Sequence, residues 1–211
     1  TFMTFGIAQI RRVLFFLCGV LAAENIAAAD DVSSHGDDPS AWTVEQVVAL
    51  LKEARESSVS FEETTHSSLL ATPLTVRGVL RFTPPSRLEK EVLEPYRERY
   101  VDEGDLVTFE SERKRVKKTL SLEDYPGLRG FVEAFRAAFT GDAAQLTQRY
   151  ETVLDGNRGQ WTLRLRPRDP TGRSIVEEIV FSGSEGRIST IVIRAADGDR
   201  SVMTLRRGVS K

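Results

Sequence analysis

The chain has 211 residues, with 29 Lys and Arg against 31 Asp and Glu, for a net charge of −2. One cysteine cannot close an internal disulfide, and two histidines beside that cysteine cannot furnish the usual zinc or haem ligand set. The near-neutral balance argues against a dedicated nucleic-acid binder, which needs a basic field to displace counterions, and the length suits one domain of ordinary size.

The first 29 residues read as an export signal. Arg11 and Arg12 form a short basic region, Val13 to Ala23 is an almost unbroken apolar run, and Ala27-Ala28-Ala29 supplies the small residues of a cleavage site near Ala29. The run, about 11 residues, is shorter than the roughly 20 that span a bilayer, which disfavours the alternative of an uncleaved anchor. It holds Cys18, so the remainder carries no cysteine. Residues 30–41 are polar, with Gly36 and Pro39, and read as a flexible linker, leaving 42–211 as the folded domain.

A helix is expected from Thr43 to Glu56. Thr43-Val44-Glu45-Gln46 is a capping box, and Val44, Val47, Val48 and Leu51 recur at helical spacing. After Ser57 the period changes to two. Leu74, Val76, Leu80 and Phe82 share one face of a strand, with Gly78 among them, where a missing side chain permits close backbone approach. Leu106 to Phe109 and Val116 to Leu122 are further strand candidates around a charged turn at 111–115. Gly127 to Ala138 is helical, with Leu128, Phe131, Val132, Phe135 and Phe139 at spacings of three and four; Gly141 ends it and Asp142 caps a short helix through Arg149.

The last third reads as five strands, Tyr150–Leu154, Gln160–Arg166, Ser174–Ser182, Arg187–Ala195 and Arg200–Arg206, joined by four glycine-containing connections of hairpin length. The fold class expected is mainly β: a curved antiparallel sheet of about ten strands, with helices over its concave face. Helices that cover a half-barrel incompletely leave an apolar cavity. The Phe131, Phe135 and Phe139 stripe suits both core packing and the wall of such a cavity.

The sequence offers no convincing catalytic set. No Gly-x-Ser-x-Gly occurs, Gly183-Ser184-Glu185-Gly186 has the wrong spacing at a hairpin turn, and neither His35 nor His66 is placed to serve a serine nucleophile. The pairs Glu62-Glu63 and Glu177-Glu178 alternate faces, so at most one of each enters a cavity, and solvated strand edges are the expected setting. Arg113-Lys114-Arg115-Val116-Lys117-Lys118 has two readings: a docking patch for an acidic partner or anionic head groups, or, favoured, a charged edge strand that resists edge-to-edge pairing.

The order of features resembles the periplasmic outer-membrane lipoprotein carrier (LolA-like) family. The residues carrying the resemblance are Phe61-Glu62-Glu63, Pro73-Leu74, Gly78-x-Leu80-x-Phe82-x-x-Pro85, Glu94-Pro95, Gly104-Asp105-Leu106, Trp161-x-Leu163-x-Leu165-x-Pro167, Ile179 through Gly183 and Asp197-Gly198-Asp199, over roughly 40–206. Gly141-Asp142 and Trp161-x-Leu163 are similar to a divergent branch associated with aryl-polyene and xanthomonadin-type pigment clusters. The family's usual pattern has an arginine before the proline of its second strand, which holds the lid closed; here Pro84 stands there, and Glu89 to Val92 replace tryptophans.

The resemblance implies an unclosed β-barrel with a helical lid over a hydrophobic cavity. It further implies a monomeric periplasmic protein that is not an enzyme, has no cofactor or metal, and binds no nucleic acid. Its partners would be the acyl chain of a lipoprotein or a lipid or polyene cargo, an inner-membrane donor complex and an outer-membrane acceptor. The cavity residues expected are Phe61, Leu80, Phe82, Leu88, Phe109, Phe131, Phe135, Trp161, Leu163, Ile179 and Phe181. The alternative is a non-catalytic sensor or scaffold module of a cell-envelope complex with the same fold.

Overall fold

The computed structural model describes residues 42–54, 58–83 and 87–207; the expected export signal and linker, and Pro84, lie outside the described residues. Helix α1 spans Val44–Ala54. Its capping box forms: the Gln46 amide donates to Thr43 Oγ1 at 3.3 Å, and the Thr43 amide donates to Gln46 Oε1 at 3.1 Å. The apolar side that the box sets in phase is buried at Val47, Val48 and Leu51.

Eleven strands form one antiparallel sheet: β1 Ser58–His66, β2 Leu74–Thr83, β3 Arg87–Glu94, β4 Glu98–Glu103, β5 Leu106–Ser111, β6 Val116–Ser121, β7 Tyr150–Asn157, β8 Gln160–Pro167, β9 Val176–Ser184, β10 Arg187–Ala195 and β11 Arg200–Arg207. Their order is β6-β5-β4-β3-β2-β1-β11-β10-β9-β8-β7. Two meanders thus meet where the first strand pairs with the last, with Phe61 opposite Leu205 and Glu63 opposite Met203. Strands β6 and β7 are the two edges, so the sheet is not closed into a barrel. The chain must cross from one edge to the other between them. Helix α2, Pro126–Thr140, and helix α3, Ala143–Arg149, occupy that crossing. Gly141 ends α2 in the left-handed region at φ 85°, and Asp142 accepts the Gln145 amide to start α3.

The pleat sorts side chains onto two faces. Phe61, Leu80, Val92, Trp161, Leu163, Leu165, Ile179, Phe181, Ile191 and Ile193 pack with Val47 and Val48 of α1 and with Leu128, Phe131 and Val132 of α2 in one core. Burying each such side chain contributes about 1.5–3 kcal/mol. The opposite face carries ion pairs. On β3, Glu89 accepts from Arg99 at 3.0 and 2.8 Å and from Arg81 and Arg87 at 3.3 Å each. The Arg99 fork, foremost, holds its carboxyl below the usual glutamate range, against the opposing effect of burial.

Several expectations are met element by element: β10 has the expected bounds, β5 and β6 flank a charged turn, and the basic run does enter an edge strand. Gly78 sits where a Cβ would lie 1.9 Å from the Glu91 carbonyl oxygen. Others need correction. The eleven strands agree with the expected about ten, but β3 and β4 were not identified individually from the sequence. The Asp169–Gly172 connection contains a one-turn helix, α4 (Pro170–Arg173), rather than a bare turn. Glu63 and Glu178 are buried, not on solvated edges, because β1 and β9 are interior strands. Glu178 is covered by Arg166 and Arg194, at 3.2 and 2.6 Å, while Glu177 is exposed.

Candidate functional site

The concave face and the helices enclose two adjoining spaces. The larger, about 240 Å³, opens at the end of the sheet formed by the β9–β10 turn and the ends of β1, β2 and β11. Its apolar wall comprises Leu51, Val59, Leu80, Phe82, Leu88, Phe139, Ile188 and Leu205. The smaller, about 40 Å³, lies under α2 among Leu80, Leu88, Val107, Phe131, Val132, Phe135, Phe139 and Met203, with Lys90, Tyr100 and Asp102 completing it. Leu80, Leu88 and Phe139 belong to both walls and stand between the two spaces. Together they lie just under the roughly 300 Å³ at the low end of ligand pockets.

Helix α2 is positioned by its aromatic side and by specific polar ties. Phe135 packs edge-on against Phe181 at 5.4 Å and tilted against Phe131 at 5.0 Å, and Phe139 stacks on Phe82 at 6.0 Å. The Tyr150 hydroxyl donates to the Gly130 carbonyl at 2.9 Å. Arg136 grips Asp102 of β4 through Nε at 2.9 Å and Nη2 at 2.5 Å, and also donates to the Gly104 carbonyl. Burial pushes the Asp102 carboxyl above the usual aspartate range; the Arg136 fork acts against this but does not outweigh it. Arg129 and Arg149 converge on Glu133 at 2.9 and 3.1 Å, joining α2 to the end of α3.

The floor is not uniformly apolar. Lys90 and Glu63 form an ion pair with both side chains almost wholly buried, and the Lys90 ammonium lies 5.1 Å from the Phe61 ring centre. Next to it the Tyr100 hydroxyl donates to Glu98 at 3.2 Å, and Ser111 donates to the other Glu98 oxygen at 3.0 Å. Burial, with the Glu98 carboxylate second, drives the Tyr100 phenol well above its usual range, so it remains a neutral donor.

Of the residues expected to line a cavity, Leu80, Phe82 and Leu88 line the larger space, and Leu80, Leu88, Phe131 and Phe135 the smaller. Phe61, Trp161, Leu163, Ile179 and Phe181 lie on the same face but are packed in the core beside these spaces. Trp161 is tied down by its indole N–H, which donates to the Glu185 carbonyl at 2.9 Å. Phe109, on β5 with Val107, stacks on Tyr100 at 4.9 Å and lines neither space. Leu51, expected only as part of the apolar side of its helix, and Val59, Ile188, Leu205 and Met203 were not among the cavity residues expected from the sequence. Alternation along β11 could have marked Met203 and Leu205, whereas nothing local marks Ile188 beside a register shift in β10. His66 lies at the opposite end of the sheet, in a polar crevice with Ser67, Ser68, Asp197 and Asp199. Among the described residues no three His, Cys, Asp or Glu side chains are grouped to hold a metal ion, and no helix is long and apolar enough to cross a membrane.

The family described as "Outer membrane lipoprotein carrier protein LolA-like" matches residues 36–211, and the chain belongs to it. Among solved structures, a LolA superfamily protein from Nitrosomonas europaea is 14% identical, with 79% of this chain and 92% of that one covered and a TM-score of 0.42. A putative outer membrane lipoprotein-sorting protein domain from Vibrio parahaemolyticus is 10% identical over 78% of this chain and 92% of its own, with a TM-score of 0.40. The Pseudomonas aeruginosa MucA/MucB complex contains a chain 13% identical over 79% of this one and 58% of that one, with a TM-score of 0.41. No curated protein matches the sequence.

Proposed function

We propose that this member of the LolA-like family is a periplasmic carrier. It takes the acyl chain of a lipoprotein, or a lipid-like or polyene chain, into the space between sheet and α2. It receives this cargo from an inner-membrane donor and yields it to an outer-membrane acceptor. The observation that carries the reading is the apolar cleft beside Leu51, Leu80, Leu88 and Phe139, which continues under the aromatic side of α2. Binding needs no covalent chemistry, because burying a chain contributes about 0.8 kcal/mol per methylene. Arg136 on Asp102 is the tie that must loosen for α2 to lift, and release follows transfer to an acceptor that holds the chain more tightly.

Native mass spectrometry of protein purified from the periplasm tests this, together with titration of a fluorescent fatty-acyl probe. A bound acyl or polyene mass, or saturable probe binding competed by long-chain lipid, is expected. Protein that is always free of cargo and fails to bind the probe overturns the reading. A long-wavelength absorption band that co-purifies identifies a conjugated chain and so the pigment-associated branch; its absence with a bound lipoprotein identifies the other cargo. The small size of the two spaces favours one rival, a sensor or scaffold in which the core stays shut. A stable protein partner captured without lipid supports that rival.

A further inference from the structure

Six large apolar side chains are exposed among the described residues, and four of them, Leu69, Leu70, Leu93 and Tyr96, lie at one end of the sheet. The registers place them there. Thr65 pairs with Leu74, Arg77 with Glu94 and Glu98 with both Val92 and Ser111, so the turns after β1, β3 and β5 all leave the same end. The mouth of the larger cleft, at the β9–β10 turn, is at the other end. We propose that this end of the sheet docks on an anionic lipid bilayer.

The loop after β1 holds its leucines outward by its own hydrogen bonds. The Leu70 amide donates to the Ser67 carbonyl at 2.9 Å, the Leu69 amide to Ser67 Oγ at 3.2 Å, and the Ser68 amide to Asp199 at 3.0 Å. Leu69 is 74% exposed on a loop thus pinned, so inserting it into acyl chains requires little further ordering. The turn after β3 presents Tyr96, a ring with an apolar body and a polar tip of the kind that settles at the head-group level. The Arg113 guanidinium lies 4.0 Å from the centre of that ring. The two turns 94–97 and 112–115 carry Arg97, Arg113, Lys114 and Arg115 against Glu94 and Glu112, with Lys114 also 3.4 Å from Glu98, while the β10–β11 turn on the other side of the leucines carries Asp197 and Asp199. Glu94 is already engaged by Arg77 at 3.3 Å. The cationic excess on the β3–β6 side of this end, in a chain of net charge −2, matches anionic head groups, and surface binding gains from apolar tips and basic side chains together. The basic run therefore serves two ends at once: a charged edge strand along β6, and a docking turn before it. Docking at this end leaves the cleft mouth uncovered, and the proposal does not depend on what the cleft carries.

Flotation of the full chain tests it, with vesicles of phosphatidylethanolamine and phosphatidylglycerol in equal parts and with vesicles of phosphatidylcholine alone. Binding is expected to the anionic vesicles and to weaken with added salt. The pair Leu69→Ser and Leu70→Ser, and separately the pair Arg113→Glu and Arg115→Glu, should each lower the bound fraction by about tenfold or more. Leu106→Ser, at the other end of the sheet, should leave it unchanged, and circular dichroism confirms that each exposed variant is folded. Equal binding to phosphatidylcholine, no flotation, or flotation indifferent to both variant pairs overturns the proposal. So does recruitment to vesicles only through an added acidic protein. Vesicle binding by a chain that takes up no acyl probe would uphold this inference while ending the carrier reading.

Discussion

Replacing Arg136 with methionine keeps an unbranched apolar stem and removes the guanidinium. Three hydrogen bonds go with it, two to Asp102 and one to the Gly104 carbonyl. What remains is a carboxylate with 9% of its side chain exposed, facing Leu88, Val107, Phe135 and Phe139. Breaking a buried pair from one side costs about 3–5 kcal/mol. Arg136 is itself 17% exposed, and Asp102 can relieve part of the cost by taking up a proton, so the lower figure, about 3 kcal/mol, applies. If the same interaction holds α2 closed, its loss raises the open population by about a hundredfold, at roughly 1.4 kcal/mol per tenfold.

Urea unfolding at neutral pH reads the first quantity, and stopped-flow uptake of a fluorescent acyl probe reads the second. The double variant Asp102→Leu with Arg136→Met removes the orphaned charge and should recover most of the lost stability, because a well-packed apolar pair commonly matches a buried ion pair. The sign of the Asp102 linkage agrees with this. Its native carboxyl titrates above the unfolded value, so its contribution is fully present below the ordinary aspartate range and is lost as pH rises through the native value. Neutral pH is therefore where burying this charge costs most. A single variant within about 0.5 kcal/mol of the parent refutes the buried-pair argument. Lost stability with unchanged uptake refutes the latch and leaves only a brace.

Three further outcomes follow from the geometry. Gly78→Ala would place a Cβ 1.9 Å from the Glu91 carbonyl oxygen and 2.9 Å from Phe61 Cε1, so a loss of about 3 kcal/mol is expected in urea unfolding, and a neutral effect would contradict the close approach of β2 and β3. Glu89→Gln should lower stability at neutral pH by about 1–3 kcal/mol, for the loss of charge-assisted hydrogen bonds. Because its carboxyl titrates below the unfolded value, the parent keeps this contribution above the ordinary glutamate range and loses it as pH falls through the native value. The variant's acid-unfolding curve should therefore be shallower there, and parallel curves would refute the assignment. Phe139→Ala removes the side chain that stands between the two spaces and stacks on Phe82. It should cost about 2 kcal/mol, below the full range for a buried ring because the residue is half-buried, while shifting probe preference toward longer chains. Unchanged chain-length preference would show that the two spaces do not act as one site.

The parts of the fold that the sequence made legible are those whose signals are local. The capping box at Thr43, Gly141 followed by Asp142, and the alternation through Trp161, Leu163, Leu165, Ile179, Phe181, Ile191 and Ile193 all act within a few residues, and their elements stand close to where they were expected. Strands β3 and β4 were hidden because charge occupies their interior positions. Lys90 sits between Leu88 and Val92, while Glu98 and Asp102 flank Tyr100, so the period of two is erased unless each charge has a known partner.

Those partners lie far along the chain: Glu63 is 27 residues from Lys90, and Asp102 is 34 from Arg136. A lysine in a strand reads as solvated until a carboxylate on another strand makes its burial tolerable. The same holds for the candidate site. Alternation and helical spacing determined by themselves which residues share the concave face. Only the tertiary structure decided which of them line open space and which are sealed in the core, because that depends on where α2 lands as the chain crosses from β6 to β7, and no residue's own pattern encodes the distance between two packed surfaces.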